Sequence, residues 1–213
     1  LGEIAMNGLL ASAPLLSLAI WVPIVAGIIV LLLGRTGNNP LIRMVALLGA
    51  LAGFAVAVPL WTGFDTVKLG MQFVEEVLWI ERFNIYYRLG VDGISLPFIL
   101  LNSFITIIVV LGGLQTIRDK VAQYNAGFLI MSGLLNGIFS ALDGLLFYVF
   151  FEASLIPLYL IIGIWGGPRR VYAAFKFFLF TLFGSLLFLI ALLYLFISSG
   201  GSFSILDWHK LPL

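Results

Sequence analysis

Cysteine is absent from the 213 residues, and histidine occurs once, as His209. Disulfides, thiolate clusters, iron–sulfur ligation and bis-histidine haem are therefore excluded within this chain. If it serves a redox enzyme, other subunits carry the electrons. Charge is scarce as well: Asp, Glu, Lys and Arg make up 10% of the residues, against about 25% in ordinary globular domains. Eleven basic side chains against ten acidic ones leave a net charge of +1, so no basic field exists to attract nucleic acid. No basic stretch precedes the first apolar run, and a cleavable signal peptide is not expected. Position 1 is Leu, and Met6 is a candidate start that would make residues 1–5 an upstream extension.

What fills the chain is apolar: 62% hydrophobic and 15% aromatic residues, with a mean hydropathy of +1.16. A soluble domain would have too few charges to cover its surface. A single membrane anchor is excluded because the apolar runs recur along the whole length. At roughly 20 residues per crossing, six crossings use about 120 residues and leave plausible loops.

The expected architecture is all-α, a polytopic bundle of about six membrane helices. The crossings fall near 15–33, 41–60, 93–113, 125–142, 144–165 and 171–197. Asp92 is the expected N-cap of the third, and Arg118-Asp119-Lys120 closes it. Residues 61–92 carry Asp65, Lys68, Glu75, Glu76, Glu81, Arg82, Arg88 and Asp92, so they lie outside the hydrocarbon. Within them, 77–89 fits either a short hairpin or an interfacial helix. Gly49 with Gly53, and Gly133 with Gly137, have the spacing that lets membrane helices approach closely. One side of the membrane gathers Arg35, Arg43, Arg118, Lys120, Arg169 and Arg170. The other holds Lys68, Arg82, Arg88 and Lys210. The basic excess puts the N-terminus outside.

One charge breaks the pattern. Glu152 lies roughly 12 Å from one interface and 20 Å from the other, at 1.5 Å per helical residue. An ionised side chain at such depth costs at least about 2.5–3.5 kcal/mol, and Glu cannot snorkel that far. It should face the bundle or a hydrated cavity, as a packing hydrogen bond or as a proton or ion site. At about 100° per residue, Tyr148 and Tyr159 share its face, whereas Phe150 and Ser154 do not. Pro157 leaves the Ala153 carbonyl without its helical donor, and a freed carbonyl beside a carboxyl suits a bound water. Lys176 is a second candidate, but it sits near the Arg169-Arg170 loop, where its stem can snorkel. It is offset from Glu152 by roughly 12 Å in depth. Asn102, Ser103, Thr106 and Asn136 can line a polar path or hydrogen-bond between helices.

The run Phe151-Glu152-Ala153-Ser154-Leu155-Ile156-Pro157-Leu158-Tyr159 leads through Ile164-Trp165-Gly166-Gly167 to Ala173-Ala174-Phe175-Lys176-Phe177-Phe178. It closely resembles the subunit M or chain 4 family of proton-pumping NADH–quinone oxidoreductase, respiratory complex I. Gly90-Val91-Asp92-Gly93-Ile94-Ser95 and Gly184-Ser185 are similar to that family too. Sister subunits L and N and cation/proton antiporter subunits share parts of the pattern, while Trp-Gly-Gly-Pro-Arg-Arg favours M.

The resemblance implies a fold of about fourteen helices with two inverted five-helix repeats. Residues 1–124 would then hold helices 1–3 with the 61–92 extramembrane loop. Residues 125–213 would open the first antiporter-type repeat with helices 4–6, stopping before its broken seventh. Glu152 becomes the proton-loading acid, with Lys176, Tyr148, Tyr159 and Asn136 as weaker members of a proton path. The lysine that pairs with it is expected beyond Leu213, so the chain alone is not expected to pump. The implied activity is H+-translocating quinone reductase, in which this chain carries no redox centre. NADH, FMN, iron–sulfur clusters and quinone are expected in other subunits, and no cofactor or metal is expected here. The implied partners are L- and N-type membrane-arm subunits and the lipid bilayer. The implied location is a bacterial inner membrane, or alternatively a mitochondrial one. A cation/proton antiporter subunit without a redox partner is the alternative function.

Overall fold

The computed structural model describes residues 14–211; the candidate start at Met6 lies outside them. Among the described residues are six long helices, one hairpin and a short final helix. They are α1 (Leu15–Leu33), α2 (Asn39–Thr62), β1 (Gln72–Ile80), β2 (Ile85–Val91), α3 (Ser95–Thr116), α4 (Val121–Ser140), α5 (Gly144–Trp165), α6 (Arg170–Ser198) and a final turn, α7 (Ile205–Trp208). Five of the six are long and apolar enough to cross a membrane. The exception is α4, which is 20 residues long but carries Gln123, Asn125, Ser132 and Asn136. It is also the hub of the bundle, packing against α1, α2, α3 and α5, and most extensively against α1. Polar side chains are tolerated there because neighbouring helices surround them. It begins at Val121, a turn before the expected Asn125.

The helix ends follow local chemistry. Asn38 caps α2 by accepting from the Leu41 amide at 3.2 Å, with Pro40 in the first turn. Asp143 caps α5 through the amides of Leu145 and Leu146 at 3.0 and 3.1 Å. At the end of α6, Gly201 N–H donates to Phe196 O and Gly200 N–H to Ile197 O. Gly200 and Gly201 have positive φ, +76° and +95° in that order, the geometry of a Schellman cap.

Residues 77–89 resolve as a hairpin, not an interfacial helix. β1 and β2 pair antiparallel, with Glu76 opposite Arg88 and Val77 opposite Tyr87. Asn84 makes the turn at φ +54°. Alternating side chains suit a strand pair, and Arg88 bonds Glu76 across it at 2.8 Å. The hairpin is tied to the bundle by its carboxylates and backbone. Glu75 accepts from the Leu16 amide at 2.8 Å and from the Ser17 amide and hydroxyl. A carboxylate at the start of α1 satisfies amides that have no partner within the helix. Tyr86 N–H reaches Asp143 at 3.4 Å, and Leu142 N–H donates to Arg88 O at 2.9 Å. Burial pushes the Asp143 carboxyl above the ordinary range, against the pull of the Leu146, Tyr86 and Leu145 amides.

Helix α3 starts at Ser95 rather than Gly93, yet Asp92 still caps it. Its carboxylate accepts from the Ser95 amide at 2.7 Å and the Ile94 amide at 3.1 Å, while Ser95 Oγ accepts from Asp92 N–H. The Ser95 amide, ahead of the other contacts, holds this carboxyl below its usual value. Its stabilisation is full above the unfolded pKa and is lost as pH falls through the lowered folded one. Asp92→Ala is expected to cost about 1 kcal/mol at pH 7 and much less in strong acid, where the wild-type carboxyl is also protonated. Thermal unfolding in detergent at the two pH values checks this, and an equal loss at both would refute it.

Both glycine pairs mark close helix approaches. A Cβ on Gly49 would meet Ala26 Cβ at 2.6 Å, and one on Gly53 would meet Pro23 at 3.6 Å. On α4, Gly133 lies against Ile20 and Ile24 of α1, and Gly137 lies under the Phe150 ring of α5. Two apolar cores result. One contains Leu16, Ile20, Leu60, Leu89, Leu96 and Phe150. The other, toward the opposite end, contains Val30, Ile42, Val110, Ala126 and Leu129.

Candidate functional site in helix α5

The amide network along α4 comes first because it separates two groups of polar residues. Asn102 on α3 donates to Asn136 Oδ1 and to Ser132 O, both at 2.8 Å. Asn136 in turn donates to Ala19 O on α1 at 2.9 Å and is 1% exposed. Thr106 Oγ1 donates back to Asn102 O at 2.8 Å. These side chains stitch α1, α3 and α4 together, and their donors go to protein acceptors. Ser103 joins the edge of this set, 3.5 Å from Asn136 Nδ2.

Glu152 stands apart from that network. It lies in the middle of α5, and its Oε1 is shielded from solvent with no hydrogen-bond partner among the described residues. Its face of α5 meets α6, the helix that packs against α5 as an antiparallel neighbour. Tyr148, one turn before Glu152, places its hydroxyl by the Glu152 carboxyl and by Ser185 of α6. Tyr159, two turns after, sets its ring 5.4 Å from Phe178 of α6. The polar stripe Tyr148–Glu152–Tyr159 therefore runs along the α5–α6 seam. Phe150 points elsewhere, onto Gly137 of α4. Ser154 is also off the stripe, bonding back to Phe151 O at 2.7 Å.

Leaving a carboxyl oxygen buried without a donor is costly. Such an oxygen can accept from a water or an ammonium brought to it, or hold a proton itself. Pro157, five residues on and inside the same helix, supplies no N–H to the Ala153 carbonyl, so a second acceptor lies about one turn away.

Lys176 is not part of this constellation. It precedes by two residues the Phe178 that faces Tyr159, which puts it roughly 13 Å along the seam from Glu152. It is exposed on α6 and shares an open groove with Arg169 and Arg170. Asn136 is also remote, turned toward α1 and α3. Of the four weaker candidates, the structure brings only Tyr148 and Tyr159 to the face of Glu152. Ser185, 3% exposed, is the seam residue that periodicity within α5 had no means of finding. Its signal was the small pair Gly184-Ser185 on another helix. Among the described residues, no three His, Asp or Glu side chains come together as a metal site.

The two ends of the bundle differ in charge. The hairpin, residues 141–143 and the tail near Ser204 meet at one end. Arg43, which donates to Ile117 O at 2.9 Å, and Trp165, which donates to Asp119 O at 3.3 Å, mark the other. The Lys and Arg excess assigned to one side by sequence thus gathers at a single end.

Residues 141–211 match the model of the "NADH:quinone oxidoreductase/Mrp antiporter" transmembrane family. The chain is 39% identical over 188 residues to NADH-quinone oxidoreductase subunit M of Rickettsia typhi, an alignment covering 86% of this chain and 38% of that protein. The chain thus spans well under half the length of this curated relative, in its N-terminal part. Among solved structures, it superposes on a chain of respiratory complex I from Thermus thermophilus with a TM-score of 0.77 and 33% identity, covering 93% of this chain and 39% of that one. The Mrp complex of Dietzia sp. DQ12-45-1b shares the fold, with a TM-score of 0.74 and 21% identity over 88% of this chain and 20% of that one.

Proposed function

We propose, for a chain whose residues 141–211 belong to the NADH:quinone oxidoreductase/Mrp antiporter transmembrane family, a role in the membrane arm of a proton-translocating NADH–quinone oxidoreductase, as its subunit M. The observation that carries this reading is Glu152, a carboxyl with a buried, unpartnered oxygen in mid-helix, in a chain 39% identical to subunit M.

Glu152 is the proton-loading acid. The shielded Oε1 of Glu152 has no donor among the described residues. As a general rule an ammonium within about 4–6 Å of a carboxyl favours its charged form, a change of about 1–3 in pKa. Moving one charge against ~150 mV takes roughly 3.5 kcal/mol, equivalent to a pKa change of about 2.5. A lysine that approaches and withdraws therefore supplies a swing of the needed size. Lys176 is too far along the seam to be that lysine, so another segment or subunit provides it. Tyr148 and Ser185 offer hydroxyls through which a proton can reach the carboxyl from the α6 side.

With no cysteine and one histidine, the chain lacks the ligands for an iron–sulfur cluster. NADH, FMN, the clusters and quinone belong to other subunits, and quinone reduction there supplies the drive. The chain sits in a bacterial inner membrane beside L- and N-type subunits, N-terminus outside, with the basic end of the bundle inward. A tagged copy is expected to bring down NADH:quinone reductase activity from detergent-solubilised membranes. Recovery with cation/proton antiporter subunits and no reductase would instead place it in the antiporter branch of the family.

A further inference from the structure

We propose that Gly137 is a positioning residue for Glu152: the flat contact between Gly137 of α4 and the Phe150 ring of α5 sets where the Glu152 carboxyl stands in the α5–α6 seam. This rests on the reading of Glu152 as the proton-loading acid, and the placement it asserts is measurable apart from that reading.

The contact is a ring face laid on a backbone. A Cβ at Gly137 would stand 2.7 Å from Phe150 Cγ and 2.8 Å from both Cδ1 and Cδ2. Near-equal distances to three ring carbons mean that the face of the ring, not its edge, covers the glycine. Carbon atoms settle about 3.5–4.0 Å apart, so one added methyl asks for about 1 Å of extra room. The atoms in the way are at the root of the ring, not its far end. Phe150 is buried in the core that contains Leu16, Ile20 and Leu96, where close packing leaves a ring little room to swing.

Neither helix yields that room easily. Asn136, next to Gly137, donates to Ala19 O of α1 at 2.9 Å and accepts from Asn102 of α3 at 2.8 Å. Pro23 lies inside α1 and supplies no N–H to the Ala19 carbonyl, so the Asn136 amide replaces a bond that α1 lacks. α4 is therefore held at this level from two sides. α5 is held against sliding along its axis by Leu142 N–H on Arg88 O at 2.9 Å and Gly144 N–H on Phe203 O at 2.8 Å. What remains is sideways shift and rotation of α5, and the ring on Gly137 fixes both.

Glu152 lies two residues beyond Phe150, about 200° around the helix and about 3 Å along it. It points almost directly away from Gly137, at nearly the same depth. On that side Phe147 meets Phe188 at 5.9 Å, Tyr159 meets Phe178 at 5.4 Å, and Gly163 faces Ala174. This antiparallel register sets Glu152 level with Gly184 of α6. Phe150 and Glu152 share one turn of helix, so a shift of about 1 Å at the ring is passed on to the carboxyl, and a misplacement of that size costs up to about 100-fold in rate.

The test is Gly137→Ala in the assembled oxidoreductase, with turnover scored per assembled complex. Electron cryomicroscopy is expected to show α4 in place and α5 moved by about 1 Å toward α6, carrying Glu152 with it. NADH-driven turnover should fall about 10- to 100-fold with KM for quinone unchanged, and its pH dependence should move. Gly127→Ala is the control on the same helix pair, since a Cβ there meets Ile161 at an ordinary 3.5 Å; it should keep the wild-type turnover and pH profile. Phe150→Leu alone should lower turnover and shift the pH profile. Added to Gly137→Ala, it should recover most of the loss, because the new methyl fills the space the ring vacates. An unmoved α5 in Gly137→Ala, or a double variant no better than Gly137→Ala, overturns the proposal. If Gly137→Ala does not assemble, Phe150→Leu decides, and a wild-type pH profile there overturns it. Glu152→Gln measured in parallel separates the two readings. If that variant still pumps, the proton-loading role falls, while the position of α5 in Gly137→Ala still settles the placement by itself.

Discussion

Glu152→Gln in the assembled oxidoreductase is expected to abolish NADH-driven acidification and to lower quinone reductase turnover by at least about 100-fold, the scale on which removing a positioned proton carrier acts. The complex itself should still assemble. Glutamine matches glutamate in shape and keeps one carbonyl oxygen, so the α5–α6 seam can close as before. The other oxygen accepts nothing within the described residues, and replacing it by an amide breaks no hydrogen bond. What is lost is the ability to take up and release a proton. Loss of both activities with normal assembly is the result expected of a coupling residue. Failure of assembly would make Glu152 a packing residue, and survival of both activities would route the proton elsewhere. Glu152→Asp separates the cases further, since it keeps the titrating group and shortens its reach by one methylene.

The long helices were legible because apolar runs of membrane length are a local property, read without knowing any partner. α5 begins and ends as read, at Gly144 and Trp165, since Asp143 on one side and Gly166-Gly167 on the other are local stop signals. α4 was less legible. Gln123 and Tyr124 read as loop because hydropathy is low there, whereas the surrounding helices are what make a polar first turn tolerable. The hairpin stayed ambiguous for a related reason: Trp, Ile, Phe, Tyr and Val in 77–89 favour strand and interface alike. Only pairing with a partner strand separates the two.

For the site, periodicity placed Tyr148, Glu152 and Tyr159 on one face, and depth flagged Glu152. Neither rule says which helix that face meets. Ser185, the Glu75 cap on α1 and the Tyr86–Asp143 contact all join residues about 35 to 60 positions apart. Such contacts follow from packing, which the periodicity of one segment does not contain. Glu75 was read only as a loop charge, although it satisfies helix-terminal amides that would otherwise be buried without partners.

Gly133→Leu is expected to have the largest effect on the fold itself. A Cβ at this position would stand 2.5 Å from Ile24 Cγ1 and closer still to the backbone oxygen of Ile20. The isoleucine can change rotamer, but the carbonyl belongs to the α1 backbone and cannot move alone. Relief requires α1 and α4 to separate, and that is the most extensive helix pair in the molecule. Separation also pulls Ala19 O away from Asn136, whose amide spans the same gap at 2.9 Å. Overpacking costs of about 1–3 kcal/mol therefore add to a lost interhelical bond of roughly 0.6–1.7 kcal/mol. Gly133→Ala tests the same clash with one carbon. Gly112→Ala on α3, where nothing lies within 4 Å, is the matched control and should gain about 0.5–1 kcal/mol from reduced backbone freedom. Unfolding in mixed micelles ranks the three. If Gly133→Ala is as stable as wild type, the α1–α4 approach is not limited by this glycine, and the close spacing on α4 reflects composition, not packing.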